Sequence, residues 1–147
     1  MFKHILMPID GSELSQKAVE EGLKLAKFVN ARVTALVAEP EYAVPTYSEM
    51  VSHAAVTIEE HQSQARSHAE TILNRVAERA REVGVDFRGN FCEEDHPYAA
   101  IIRTASEGGC DLIVMASHGR HGLSALMFGS ETHEVMAHSR IPVLVYR

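Results

Sequence analysis

Residues 112–130, LIVMASHGRHGLSALMFGS, join an apolar run to a glycine-containing loop, and this stretch decides the fold. The consecutive apolar residues at 112–116 predict a strand that is buried on both faces. Gly129 and Ser130 then precede a predicted helix over 131–138, and a serine at that point suits a helix N-terminus. By glycine spacing alone, the loop is as typical of an ordinary connection as of a phosphate-binding turn.

Strand and helix alternate along the rest of the chain. Apolar and β-branched runs predict strands at 2–9, 32–38, 85–93, 111–116 and 142–146. Apolar residues at helical spacing predict four helices. The first follows Ser12, and the second runs from a capping box at Thr57 and Glu60 to Gly84. The third runs from Pro97 to Gly108, and the fourth covers 131–138. The two prolines within 40–50 predict an irregular connection there.

This alternation predicts a single α/β domain over residues 1–147. Each right-handed crossover lays its helix over the sheet, so we expect a doubly wound, five-stranded parallel sheet with helices on both faces. Ligands of such sheets bind beyond the carboxyl ends of the strands, where the strand order reverses. The sequence therefore places PIDGS, residues 8–12, opposite ASHG, residues 116–119, at a ligand crevice.

The composition argues against nucleic-acid and membrane partners. A net charge of −6 and a pI of about 5.8 leave no broad basic surface for a nucleic acid backbone. No apolar run approaches the roughly 20 residues that cross a bilayer, and no signal-peptide pattern opens the chain, so we expect a cytoplasmic protein. Cys92 and Cys110 lack CxxC spacing, and we expect two reduced, largely buried thiols.

The chain contains nine histidines, which raises the question of a metal site. His61 and His68 are two turns apart on one helix and cannot close around one ion without a ligand from elsewhere, such as His53. Because HxxxH spacing is absent, solvated surface histidines that titrate near pH 6.5 are the favoured interpretation, and no metal ligand is assigned.

The sequence resembles the universal stress protein family in three segments that span the chain. These are MPIDGS at residues 7–12, IVMASHGRHGLSALMFGS at 113–130 and the ending HSRIPVLVYR at 138–147. The resemblance implies a five-stranded doubly wound domain with strand order 3-2-1-4-5, usually dimeric, that acts in the response to stress.

One branch of that family binds ATP through a G-x2-G-x9-G-[ST] pattern, which this chain matches except for Ala116 at the first glycine. The resemblance implies that Pro8, Ile9 and Asp10 meet the adenosine, that Val37 lines the adenine pocket through its backbone, and that Met115 packs beside it. Phosphates would lie against Gly119, Gly129, Ser130, Glu131 and Thr132. The full implied binding set is Pro8, Ile9, Asp10, Val37, Met115, Ala116, His118, Gly119, Arg120, Gly129, Ser130, Glu131 and Thr132.

Charge neutralisation in that site is expected to need a divalent cation. Nearby cations are limited to Arg120 and to histidines such as His118 when protonated, so Mg²⁺ or Mn²⁺ held by the phosphates is expected with ATP. The carboxylate of Glu131 would repel phosphates unless such an ion or an outward rotamer intervenes. Because no lysine or paired carboxylates stand out, we expect little or no turnover and assign no catalytic residue.

Three functional interpretations follow. The first is an ATP-binding dimeric module for stress response and signalling; the second is a dimer that acts through an unknown protein partner without nucleotide. The third is slow Mg²⁺-dependent ATP hydrolysis assisted by Asp10. A homodimer is expected through Val143, Leu144 and Val145, because the apolar closing strand is predicted at a sheet edge, where unpaired backbone groups recruit a second copy.

Overall fold

The structure, a computed structural model, describes residues 1–52, 55–119 and 128–147. The elements in chain order are β1 (His4–Pro8), α1 (Glu13–Val29), β2 (Arg32–Glu39), α2 (Tyr47–Val51), α3 (Ile58–Val83), β3 (Phe87–Glu93), α4 (Pro97–Glu107), β4 (Leu112–Ala116), α5 (Ser130–His138) and β5 (Val143–Tyr146). Among the helices within those ranges, none is long and apolar enough to cross a membrane.

The five strands form one sheet in the order β3-β2-β1-β4-β5, and every pair is parallel. This confirms the predicted doubly wound topology. The strand order reverses between β1 and β4, whose carboxyl ends lead into the segments around Asp10 and Ser117. The predicted crevice therefore lies where the topology places it.

The two faces of the sheet bury separate apolar clusters. One cluster lies between the sheet and helices α1 and α3 and takes in Ile5, Met7 and Val37 from the strands. The other lies beneath α4 and α5 and takes in Leu36 and Met115, among others. Since neighbouring residues of a strand point to opposite faces, side chains one position apart serve different layers.

Local signals explain where the helices begin and end. The predicted capping box is present, with the Glu60 N–H donating to the Thr57 hydroxyl at 3.1 Å and the Thr57 N–H donating to the Glu60 carboxylate at 3.0 Å. Gly84 ends α3 in the left-handed region at φ 73°, a conformation that glycine adopts without strain. Pro97 stands at the start of α4, as predicted.

The segment 40–50 differs from the prediction, because it contains the start of a short helix. Thr46 and Glu49 form a second capping box that satisfies the first N–H groups of α2. The prolines, Pro40 and Pro45, both precede this helix and so do not interrupt it. The T-x-x-E signal of Thr46 and Glu49 begins a helix directly after the second proline, which the prolines alone do not indicate.

Candidate functional site

A cavity of about 410 Å³ opens at the carboxyl ends of β1, β2 and β4. The starts of α4 and α5 close its outer side. Its lining residues are Pro8, Ile9, Asp10, Ser15, Leu36, Ala38, Pro40, Asp95, Pro97, Ile101, Met115, Ala116, His118, Gly119, Gly129, Ser130, Glu131 and Thr132. The structure thus brings the implied binding residues together at one place, with two exceptions.

The exceptions are Val37 and Arg120. The Val37 side chain is fully buried in the cluster beneath α1 and α3, so the neighbouring residues Leu36 and Ala38 line the cavity instead. A contact through the Val37 backbone stays a prediction. Arg120 lies outside the described residues, as does most of the loop that follows it.

One part of the cavity is an apolar slot between the sheet and α4. Leu36 and Ala38 supply its floor from β2, and Ile101 faces them from α4. Met115, 5% exposed, adds a flexible and polarisable side chain from β4. Such walls suit a flat, weakly polar ring system, because burying its faces removes apolar area from water.

The opposite part of the cavity is the N-terminus of α5. Gly129 is the N-cap residue with φ −61° and ψ 156°, and no side chain caps this end. The first backbone N–H to bond within the helix is that of His133, which donates to the Gly129 carbonyl at 3.0 Å. The N–H groups of Ser130, Glu131 and Thr132 therefore point out of the first turn, where the helix dipole favours an anion.

Thr132 fixes this helix end to the sheet. Its hydroxyl, in a residue only 2% exposed, donates to the Ala116 carbonyl at 3.0 Å. The Gly129 N–H also donates, to the Ser117 carbonyl at 2.8 Å. Of the two hydrogen-bond donors that Thr132 has, only the backbone N–H remains for a ligand.

Glu131 caps the neighbouring helix. The Tyr98 N–H at the start of α4 donates to Glu131 Oε2 at 2.7 Å, while α4 has no side-chain cap from its own N-cap residue, His96. The carboxylate thus takes up an otherwise unsatisfied N–H between two positive helix ends. This contact engages the negative charge that was expected to repel phosphates, although the residue still lines the cavity.

Asp10 shapes the turn after β1. Its Oδ1 accepts from the Ser12 N–H at 2.9 Å, and Ser12 in turn caps α1 by accepting from the Ser15 N–H at 3.2 Å. A Cβ at position 119 would collide with Asp10 Oδ2. Glycine at 119 therefore allows the Asp10 carboxylate to approach the loop after β4 closely.

Gly129 is favoured by a different contact. A Cβ there would lie 3.2 Å from His118 Cα, tighter than ordinary packing, and so would press on the loop after β4 rather than on open space. His118 itself stays close to its own loop, with Nδ1 3.1 Å from the Ser117 hydroxyl. The glycine spacing thus records packing within the loop as well as room for a ligand.

Several lining residues were missed from the sequence. Strand parity could have found Leu36 and Ala38, because they share a face with Met115 once the topology is fixed. Asp95 and Pro97, just before and within the first turn of α4, were visible only as a helix start. Ser15 and Ile101 lie on helices far apart in sequence, and no local pattern indicates that they converge.

The histidines of α3 hold the end of β2. His68 Nδ1 donates to Glu39 Oε1 at 2.6 Å, and His61 Nε2 donates to the Pro40 carbonyl at 3.0 Å. They are therefore partnered rather than merely solvated, which differs from the favoured interpretation. Within the described ranges no group of three or more potential metal ligands occurs, and His53 lies outside them.

Both cysteines are free thiols. Burial raises the pKa of Cys110 to about 11, and burial likewise raises the pKa of Cys92. A thiol that stays protonated at neutral pH is a poor nucleophile and metal ligand. Neither residue lines the cavity.

Comparison with known proteins places the chain among universal stress proteins. The family model described as "Universal stress protein family" matches residues 1–147. Universal stress protein YxiE of Bacillus subtilis is 35% identical over 150 residues, with all of both chains covered. The solved structure of MJ0577 superposes with a TM-score of 0.82 at 25% identity, covering 99% of this chain and 96% of the other.

Two further solved structures of universal stress proteins contain nucleotides. One is a complex with cAMP, with a TM-score of 0.68 and 21% identity over 99% of this chain and 97% of the other. The other is the Archaeoglobus fulgidus protein with dAMP, with a TM-score of 0.62 and 13% identity over 100% and 98% of the two chains. At these identities the likeness to this chain is one of fold.

Proposed function

The chain belongs to the universal stress protein family, and on that premise we propose that it is a cytoplasmic, dimeric stress-response module that binds ATP with little or no turnover. The observation that carries the proposal is the form of the cavity at the carboxyl end of the sheet. An apolar slot lies at one side of it and an uncapped helix N-terminus at the other. An adenine nucleotide has this same division between an apolar base and an anionic tail.

In the proposed complex the adenine occupies the slot formed by Leu36, Ala38 and Ile101. The phosphates then lie against the N–H groups at the start of α5. The match of Ala116, Gly119, Gly129 and Ser130 to the ATP-binding pattern of the family supports this orientation, with alanine in place of the first glycine. The cAMP and dAMP complexes of other universal stress proteins support an adenine nucleotide as the ligand class.

A divalent cation completes the proposed complex. Among the described lining residues there is no lysine or arginine, while Asp10, Asp95 and Glu131 bring carboxylates. Backbone N–H groups alone do not neutralise a triphosphate, so Mg²⁺ or Mn²⁺ held by the phosphates supplies the remaining positive charge. We expect at most slow hydrolysis, since Asp10 accepts from the Ser12 N–H and serves the turn.

The proposed dimer forms through β5. This strand lies at the edge of the sheet, and Leu144 is 43% exposed there. An exposed apolar edge with unpaired backbone groups on one side can pair with the same strand of a second copy about a twofold axis. Val143 and Val145 would extend that contact on the other face of the strand.

The test is calorimetric titration of nucleotide-stripped protein with ATP and Mg²⁺. We expect micromolar binding in the native protein. Ala38→Phe places a ring in the slot from a half-buried position of β2, and should remove binding. Ala43→Phe adds the same bulk at an exposed position outside the cavity and should leave binding unchanged.

The outcomes separate the proposal from its main alternative. A retained affinity in Ala38→Phe, with the fold intact by circular dichroism, would overturn the assignment of the slot. Absence of binding by the native protein at millimolar ATP would favour a dimer that acts through a protein partner without nucleotide.

A further inference from the structure

A second cavity, of about 550 Å³, lies at the amino ends of β1 and β2, at the opposite end of the sheet from the nucleotide cavity. Helices α1 and α3 end beside it, at Asn30 and Gly84. None of its lining residues belongs to the first cavity. We name it the basal cleft.

Three cations line the basal cleft, namely Lys3, Lys27 and Arg32. Within the part of the chain that the structure describes, none of their charged groups makes a hydrogen bond or an ion pair. Other cations of the same chain are engaged: Lys24, also on α1, lies 2.7 Å from Glu21, and Arg79 pairs with acidic residues on two helices. The cleft therefore gathers three cations whose charges the described residues do not neutralise.

Little negative charge opposes these cations locally. Asp86 is the single carboxylate among the described residues of the cleft. The last carbonyls of α1 accept from the Asn30 N–H and those of α3 from the Gly84 N–H, so their hydrogen-bonding needs are partly met. Each helix end still carries about half a negative charge, which does not cancel three cations.

Asp111 lies beside the cleft but is already engaged. Its carboxylate accepts from the backbone N–H of Lys3 at 2.8 Å and of His4 at 3.0 Å. Positive charge thus remains in excess in a chain whose net charge is −6. This local inversion of sign is the feature that calls for an anionic ligand.

His4 lines the basal cleft, and its pKa responds to the positive charge there. Its Nδ1 donates to the Gly108 carbonyl at 3.1 Å, so its Nε2 accepts from the Thr34 hydroxyl at 2.8 Å. Burial lowers the pKa of His4, and the nearby positive charge of Arg32 lowers it further. An anion bound beside Arg32 would offset the second effect.

We propose that the basal cleft binds a small phosphate anion with two or more negative charges between Lys3, Lys27 and Arg32. The guanidinium of Arg32 presents parallel N–H donors that match two phosphate oxygens, while the two lysines act as mobile point charges. Asn30 adds a side-chain amide at the same rim. Inorganic diphosphate and an organic phosphate ester share this chemistry. The site does not depend on the nucleotide cavity, and both can be occupied together.

The test is NMR titration of the His4 imidazole with inorganic diphosphate in Mg²⁺-free buffer, repeated with glycerol 3-phosphate. We expect a saturable shift of the His4 resonance and a rise in the pKa of His4 at saturation. Stronger binding of the diphosphate would assign the inorganic ion, and stronger binding of the ester would assign an organic phosphate.

Paired variants separate a site from general charge attraction. Lys27→Gln with Arg32→Gln should weaken binding roughly tenfold or more, because two charged hydrogen bonds are lost. Lys24→Gln removes the same charge from α1 outside the cleft and should change affinity less than twofold. Ala38→Phe, which blocks the other cavity, should have no effect.

Because Lys27 and Arg32 are exposed, these substitutions should not disturb folding, which thermal unfolding will check. The proposal is overturned if neither anion produces a saturable shift of His4. It is equally overturned if the double variant binds as well as the native protein, or if Lys24→Gln weakens binding as much as the double variant does.

Discussion

The two ends of the parallel sheet present opposite ends of the helices to a ligand. At the carboxyl end, α4 and α5 begin beside the nucleotide cavity, and α5 offers backbone N–H groups and a positive dipole end. At the amino end, α1 and α3 finish beside the basal cleft with their carbonyls and negative dipole ends. An anion at the carboxyl end can therefore be bound by the main chain, whereas one at the amino end needs side-chain cations.

This difference has a consequence for substitutions. Main-chain recognition is sensitive to added bulk, because the backbone must approach the ligand closely, and it tolerates loss of surface charge. Side-chain recognition behaves in the opposite way, since it depends on the number of cations and hardly on glycines. The following predictions test the contrast, from the largest expected effect to the smallest.

Substitution of glycine should have unequal effects at the two ends. Gly119→Ala places a Cβ against the Asp10 carboxylate and should reduce ATP affinity on the order of 100-fold, because the carboxylate must shift out of its place in the crevice. Gly109→Ala, beside the basal cleft, meets nothing within 4 Å and should leave ATP affinity unchanged. Its φ of 65° should cost about 1 kcal/mol of stability. Calorimetry measures the ATP affinity and denaturant unfolding measures the stability. An equal loss of ATP affinity in the two variants would contradict main-chain recognition at the carboxyl end alone.

The hydrogen bond by which Thr132 anchors α5 to the sheet should contribute measurably to the free energy of unfolding. Thr132→Val removes the buried hydroxyl that donates to the Ala116 carbonyl, and should lower the free energy of unfolding by about 1–2 kcal/mol. Thr71→Val is the matched control, because the Thr71 hydroxyl donates to Ser67 on an exposed helix face and should matter by less than about 0.5 kcal/mol. Urea unfolding distinguishes the two. Indistinguishable midpoints would remove the anchor role.

The amino end should contribute stability that depends on pH. Burial works to raise the pKa of Asp111, but the N–H groups of His4 and Lys3 outweigh it and the pKa is lowered overall. A lowered carboxyl pKa stabilises the fold above the unfolded pKa, near 3.9, and this contribution is lost as pH falls through the folded pKa.

Asp111→Asn should therefore cost about 1 kcal/mol at neutral pH, a value reduced by the partial exposure of the group, and the difference from the native protein should close in acid. Asp86→Asn removes the same charge at the exposed rim of the same cleft, where no described residue donates to the carboxylate, and as the control it should cost less stability at neutral pH. Denaturant unfolding at several pH values measures this. A constant difference down to pH 3 would contradict the account.

At the carboxyl end, a substitution that removes charge without adding bulk should have the smallest effect on ATP affinity. Glu131→Gln keeps an oxygen that accepts from the Tyr98 N–H and removes the negative charge, so ATP affinity should rise by about two- to fivefold at low salt. Glu131→Ala also removes the cap of α4 and should cost about 1 kcal/mol of stability. If Glu131→Gln weakens ATP binding, the carboxylate has a role in holding the cation instead.

The cavity at the carboxyl end of the sheet could be located from sequence because its loops carry segments that resemble the universal stress protein family. The alternation of elements predicted the parallel sheet, and the resemblance implied its strand order and the binding roles of Gly119, Gly129 and Ser130. The apolar slot was less accessible, since Ile101 and Leu36 meet only after α4 folds over β2. The role of Glu131 as a cap for α4 needed the position of a second helix.

The basal cleft left no such pattern. Lys3 precedes β1, Lys27 lies in the last turn of α1 and Arg32 begins β2, and each looks in sequence like an ordinary surface cation. What distinguishes them is that three cations without described ion-pair partners converge on one cavity, which is a property of three-dimensional neighbours. Lysines spaced along α1 look alike in sequence, and only the fold separates paired Lys24 from Lys27.

The central claim is that the first turn of α5 receives the phosphates of ATP, and backbone amide NMR tests it most directly. On addition of ATP and Mg²⁺, the N–H resonances of Ser130, Glu131 and Thr132 should shift most and saturate in the micromolar range, while the His4 N–H at the other end of the sheet should move little. If the resonances of these three amides do not shift at millimolar ATP, the N-terminus of α5 does not bind the nucleotide and the account is contradicted.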